Sequence, residues 1–228
     1  MARAQRPVCT ETPADAEVRQ RLRTLTRMVH AEEPGIRRWF TSFALLHGTM
    51  LTASALLAVS ATDEGYRNEM IVGTTSSTLA LASLVLFTPP MMGAGDAMEG
   101  IPDDTPEGRL ARMREGEDRL RRGAASVDFL HSWVPSTLSL VYVAGASATN
   151  LLAFERTTGA YTHAIGGTIL GLSRILLHPT GPRTAWRRYR NAHPDAGCVP
   201  AEEPVAQLPA PSWRIQAFGL GASLRLTF

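Results

Sequence analysis

Three long stretches of this chain carry no charge, and a fourth carries almost none. No acidic or basic residue falls between Arg38 and Asp63, between Glu69 and Asp96, or between Asp128 and Glu155. A weaker apolar stretch runs from Thr157 to Leu172 and continues past Arg174 to Pro179. Crossing a bilayer takes about 20 mostly apolar residues in a helix, so the pattern predicts four transmembrane helices. The polar segments between them read as two amphipathic helices. In the first, Thr12 is placed as the cap and Pro13 at the first helical position. Val18, Leu22, Leu25 and Val29 then share one face until Pro34-Gly35 interrupts. The second runs from Thr105 through Leu110, Met113, Glu117 and Leu120, with Gly123 ending or loosening it.

The same pattern occurs twice. Arg37-Arg38 followed by His47 is matched by Arg121-Arg122 followed by His131, and each histidine is preceded by a leucine, Leu46 or Leu130. Farther along, Thr78-Leu79 through Leu86 and Pro89 aligns with Thr168-Ile169 through Leu176 and Pro179, with Ser83 opposite Ser173. The expected fold is therefore all-α and polytopic: two tandem transmembrane hairpins in the same orientation, related by an axis along the membrane normal. The expected division is an N-terminal amphipathic helix (1–38), hairpin 1 (39–95), a loop with the second amphipathic helix (96–128), hairpin 2 (129–179), an Arg/Pro-rich linker (180–212) and a β-like tail (213–228).

Arginine sets the orientation. All 23 basic residues are arginine; eight lie in 1–38, six in 96–128 and six after Pro179, while 62–69 and 155–160 hold one each. Both termini and the central loop are expected in the cytoplasm of a bacterial-type inner membrane. The amphipathic helices are expected either to lie on the inner leaflet or to pack on each other. The two cysteines, Cys9 and Cys198, are expected as free thiols on that side. No signal peptide is expected, since the first apolar run begins at Trp39. A net charge of +2 without any recognition motif argues against nucleic acid.

In the tail, Leu220, Ala222, Leu224, Leu226 and Phe228 alternate with small or polar residues, which predicts a short β-strand or a hairpin from about Trp213. The alternation and terminal aromatic resemble the last strand of outer-membrane β-barrels. One strand cannot close a barrel, and the helical spans argue for an inner membrane. Leu220, Leu224, Leu226 and Phe228 are instead expected to pair with a partner.

Within the spans, Gly167 and Gly171 form a GxxxG pair suited to close helix packing, and Ser54/Ala58 and Ser76/Ala80 repeat the small-residue spacing. Pro135 is expected to kink the third span or sit in its first turns. His47 and His131 occupy equivalent repeat positions, as two axial ligands of a haem b would require; the competing reading is a neutral histidine hydrogen-bonded in a helix contact. Asp128, three residues before His131, shares its helix face. His163 and His178 are expected to be wetted at the span ends, and Arg174 to snorkel to the headgroups. Glu115, Glu117 and Asp118 interleave with arginines and read as a solvated face. Hydrolase, P-loop, zincin and dinucleotide signatures are absent. No metal, cofactor or small-molecule substrate is expected. The function expected from these features is a non-enzymatic assembly or scaffold element, a homo-oligomer or membrane-complex subunit. A haem-binding electron carrier or a small oligomeric transporter or channel is the alternative.

Overall fold

One helix joins two regions that the sequence pattern treats as separate. The computed structural model describes residues 13–198 and the backbone of 212–218 and 221–227. Its first element, α1 (Asp15–Ser60), is 46 residues long, about 69 Å at the helical rise. It is followed by α2 (Glu64–Leu86), α3 (Ala94–Glu99), α4 (Pro106–Leu130), α5 (Trp133–Ala148), α6 (Thr157–Leu176) and α7 (Gly181–Ala192). A π-helical turn, Thr149–Ala153, continues α5.

Pro34 does not end α1, contrary to the break expected at Pro34-Gly35. Proline removes one rung of the hydrogen-bond ladder, but Pro34 faces solvent while Glu33 and Ile36 beside it are buried. Val18, Leu22, Leu25, Val29, Ile36, Trp39, Phe43 and His47 make one buried stripe at helical spacing through the proline, and packing along it outweighs the lost bond. The helix starts at Asp15, with Ala14 at the cap position and no side-chain capping bond. Thr12, the expected cap, lies outside the described residues.

The first half of α1 packs with α3, α4 and α7 into a helical bundle around Val18, Leu22, Leu25, Val29, Ile36, Met98, Leu120 and Tyr189. Of the two arrangements expected for the amphipathic helices, this is the one in which they pack on each other. Their apolar faces are spent on the bundle core, which corrects the alternative of two interfacial helices lying on lipid. Gly123 does not end α4. A Cβ there would lie 2.5 Å from Met91 Cγ, so its missing side chain makes room for a packed methionine. Thr105 accepts the Gly108 N–H at 3.0 Å and fixes the start of α4. The segment expected as an Arg/Pro-rich linker opens with α7, whose Pro182, Ala185 and Tyr189 are buried.

Beyond His47, no residue of α1 is buried. That half of the helix runs beside α2, which a three-residue connection returns antiparallel; Asp63 caps α2 by accepting the Tyr66 N–H at 2.7 Å. α5 and α6 form the other pair. Pro135 sits in the first turn of α5, where its missing N–H removes no helical bond. Among the described residues, large exposed apolar side chains run from Leu45 to Phe87 and from Phe129, at the end of α4, to Leu177; the rest of the bundle exposes none. Three helices among the described residues, α1, α2 and Trp133–Ala153, are long and apolar enough to cross a membrane. α6 is not among them, since Gly166, Gly167, Gly171, Ser173 and Arg174 dilute its apolar content.

A second unit holds Cys198 and two strands, β1 (Ser212–Phe218) and β2 (Gly221–Thr227), paired antiparallel with Trp213 opposite Leu226. Cys198 is disulfide-bonded, which corrects the expectation of free thiols. Cys9 lies outside the described residues.

Candidate functional site

The two histidines expected as a pair sit in unlike places. His47 is buried on α1, its ring 6.4 Å from that of Phe43. His131 is exposed and occupies the C-cap of α4, where the chain breaks before α5. α1 runs straight through the equivalent position, so the local backbones differ as well as the burial. A bis-histidine haem needs two ligands facing one iron, and these environments do not supply a matched pair. Among the described residues, no group of three or more His, Cys, Asp or Glu side chains is placed to hold a metal ion.

Buried polar side chains gather instead at both ends of the apolar helix pairs. At the loop end, Glu69 of α2 is buried and lies 3.5 Å from Nε of Arg156, which also approaches Asp63 at 3.5 Å. Gly159 makes this possible: a Cβ there would stand 2.7 Å from the Glu69 carboxyl carbon. The carboxylate thus lies against the first turn of α6, whose own cap position supplies no side-chain bond, and its negative charge complements the helix dipole. Asn150, fully buried in the π-helical turn, donates to the Ala146 carbonyl at 3.0 Å. Its amide nitrogen is 3.3 Å from His163 Nδ1, which is also 3.0 Å from the Gly159 carbonyl. That ring nitrogen either accepts from Asn150 or donates to Gly159, according to its tautomer. Beside it, Glu155 has φ +52°, a conformation uncommon outside glycine. The cluster fastens α2, the π-turn and α6 to one another, and contains no nucleophile–base pair.

At the Arg-rich end, Trp39, Ser83, Arg174 and His178 meet. Trp39 donates its indole N–H to the Arg174 carbonyl at 3.2 Å, and Arg174 donates to Ser83 Oγ at 2.7 Å. Arg174 is therefore turned inward rather than snorkelling outward. His178 is only 3 % exposed, which overturns its reading as a wetted residue.

The bundle carries its own polar ties. Glu117 is buried, accepting from Tyr189 Oη at 2.7 Å and from the Gly197 N–H at 2.9 Å, so of the acidic residues on α4 it does not belong to a solvated face. Burial and the adjacent Glu117 carboxylate push the Tyr189 phenol far above its ordinary range. Glu115 and Asp118 do pair locally, with Arg119 and with Arg121 and Arg122. Arg21, buried, holds Asp195 through two nitrogens, at 2.7 and 2.9 Å. The hydrogen bonds from Arg21 hold the Asp195 carboxyl below the usual range against the opposing effect of burial. Asp128 pairs with Arg183 at 2.8 Å rather than orienting His131.

Gly167 and Gly171 lie against α5. A Cβ at Gly167 would be 2.9 Å from Val143 Cγ2, and one at Gly171 would be 2.1 Å from Ser139 Oγ. The rising and falling residue numbers make the two helices antiparallel. Leu224 and Leu226 fall on β2, while Leu220 and Phe228 lie outside the described residues. Sequence reasoning overlooked Glu69 and Asn150. Asn150 carried a usable signal, a lone amide in an apolar run; Glu69 had served only to mark the edge of one. No family model, curated protein or solved structure matches the chain.

Proposed function

We propose that this chain is an integral membrane protein of assembly or scaffold type: two tandem transmembrane hairpins, four spans in all, holding a rigid helical platform at the membrane surface. The observation that carries this reading is the continuity of α1, one helix that belongs to the bundle core in its first half and exposes leucines in its second. A platform built this way cannot tilt freely relative to its anchor. The polar bundle surface and the paired C-terminal strands are the parts offered to partners, the strands through their outer edges, including other copies of the chain.

α6 is the fourth span in this reading. Its Tyr161, Ile165, Ile169 and Leu176 are exposed on one face, as lipid contact requires, while Gly167 and Gly171 face α5. Arginine distribution supports a cytoplasmic position for the bundle and both termini, at a bacterial-type inner membrane. The Cys198 disulfide is the opposing indication, since such bonds persist in oxidising compartments. The arginine bias carries more weight, because it bears on the orientation of the spans themselves.

Cross-linking mass spectrometry of the full chain in its native membrane tests the function. The expected result is a recurrent partner, or a second copy, linked to α4, α7 or the tail, with the tail links lost when 212–228 is deleted. Cross-links confined to a single chain would contradict a scaffold.

A further inference from the structure

Three buried nitrogen atoms at the Arg-rich end are poorly satisfied. Both ring nitrogens of His178 and Nε of Arg174 are inaccessible and make no well-formed hydrogen bond, although the Pro179 backbone interacts with the imidazole. A neutral imidazole carries one donor and one acceptor, and a guanidinium carries donors only. Buried polar groups are nearly always satisfied, so three such atoms in one place point to a missing partner. Trp39 touches both residues: its ring meets the His178 ring edge-on, centroids 4.6 Å apart, while its N–H donates to the Arg174 backbone carbonyl.

The charge around this cluster defines the partner. Arg174 has Ser83 as its hydrogen-bonding partner, and among the described residues no carboxylate lies within ion-pair distance of it. Asp128 is paired with Arg183 and Glu33 with Arg37. A cation turned inward without a counterion is costly in an apolar surround. An anion rich in acceptor oxygens removes that cost and satisfies Arg174 and one N–H of His178 together.

We propose that Trp39, Ser83, Arg174 and His178 form a binding site for a phosphate group, carried by an anionic lipid headgroup or free in solution. Its level in the molecule suits a headgroup. Trp39 opens the apolar stretch of α1, where tryptophan marks the membrane boundary, and the neighbouring Leu176 and Leu177 are exposed where acyl chains would lie. The three atoms are covered in this structure, so binding includes a rotamer change of His178 away from Trp39. The inference rests on the membrane placement of the helix pairs and not on the scaffold role.

Native mass spectrometry of the delipidated full chain, titrated with phosphatidylglycerol, phosphatidylcholine or inorganic phosphate, tests it. The wild-type chain is expected to retain one phosphatidylglycerol and to release phosphatidylcholine. Arg174→Gln and His178→Phe should each weaken phosphatidylglycerol retention about tenfold or more, with circular dichroism unchanged. Competition by inorganic phosphate would support the phosphate site and identify a free anion as its source. If Arg174→Gln does not fold, His178→Phe carries the test, because it keeps a ring against Trp39. Equal retention of both lipids by the wild type, or undiminished phosphatidylglycerol retention by the folded variants, would overturn the proposal.

Discussion

Glu33 shows how one carboxylate can organise a corner of the bundle. It accepts the Gly93 N–H at 3.1 Å and the Gly95 N–H at 2.9 Å, and pairs with Arg37 at 2.7 Å. Gly93, the cap position of α3, is left-handed (φ +71°) and has no side chain to cap with, so Glu33 caps that short helix from α1. Burial opposes its ionisation, but the two amide donors and Arg37 outweigh burial and lower its pKa from 4.5. A lowered acid pKa stabilises the fold above the unfolded value and loses that contribution as pH falls through the folded value. The bundle should therefore melt earlier as pH drops below 4.5. Glu33→Gln should cost about 1–2 kcal/mol at neutral pH and flatten that part of the profile, read by circular dichroism melts of the full chain. An unchanged melting temperature at neutral pH would show that Glu33 does not cap α3. Neither this cap nor the Tyr189–Glu117 bond was legible in the sequence, because the partners are 60 to 72 residues apart and local pattern shows only that both carboxylates are acidic residues in helices. Tyr189→Phe should cost about 1–2 kcal/mol, leaving Glu117 one buried donor short; the same melts measure it.

Among the elements, apolar periodicity located the long helices well and their ends poorly. The stripe Val18, Leu22, Leu25, Val29 was plain, but Pro34 carries a strong local signal for a break. That signal lost to packing on both sides of it, at Glu33 and Ile36. Pro34→Ala should restore the missing rung and raise stability by up to about 3 kcal/mol; a fall in melting temperature would show that the proline geometry is used. The segment of α7 reads as linker in the sequence although Pro182 suits a first helical turn; the structure buries positions 182, 185 and 189 on one face. Its many arginines obscured a narrow apolar face. The close approach of α6 to α5 rests on missing side chains, so Gly171→Leu should force the pair apart at Ser139 and destabilise it by about 1–3 kcal/mol or more. Gly166→Leu, where a Cβ meets nothing within 4 Å, is the control. Equal effects of the two substitutions would count against the contact.

The whole molecule separates its apolar surface by region: the bundle hides it and the helix pairs display it. In water such exposed leucines and phenylalanines would drive aggregation, whereas in lipid they are matched to their solvent. That contrast was foreshadowed by the uncharged stretches, and the bundle only as packing between the two amphipathic helices; the parts taken by α3 and α7 depend on long-range contacts that no single helix announces. The central claim, that α1 passes unbroken from a polar bundle into lipid, is tested most directly by spin-label accessibility scanning along residues 20–60 of the membrane-reconstituted chain, with Cys9 and Cys198 replaced by serine. Collision with dissolved oxygen should rise, and with a water-soluble nickel reagent should fall, from Trp39 toward Met50 and reverse toward Ser60, with both low on the buried stripe before Trp39. Nickel accessibility that stays high at Leu46 and Met50, in the middle of the uncharged stretch, would contradict it.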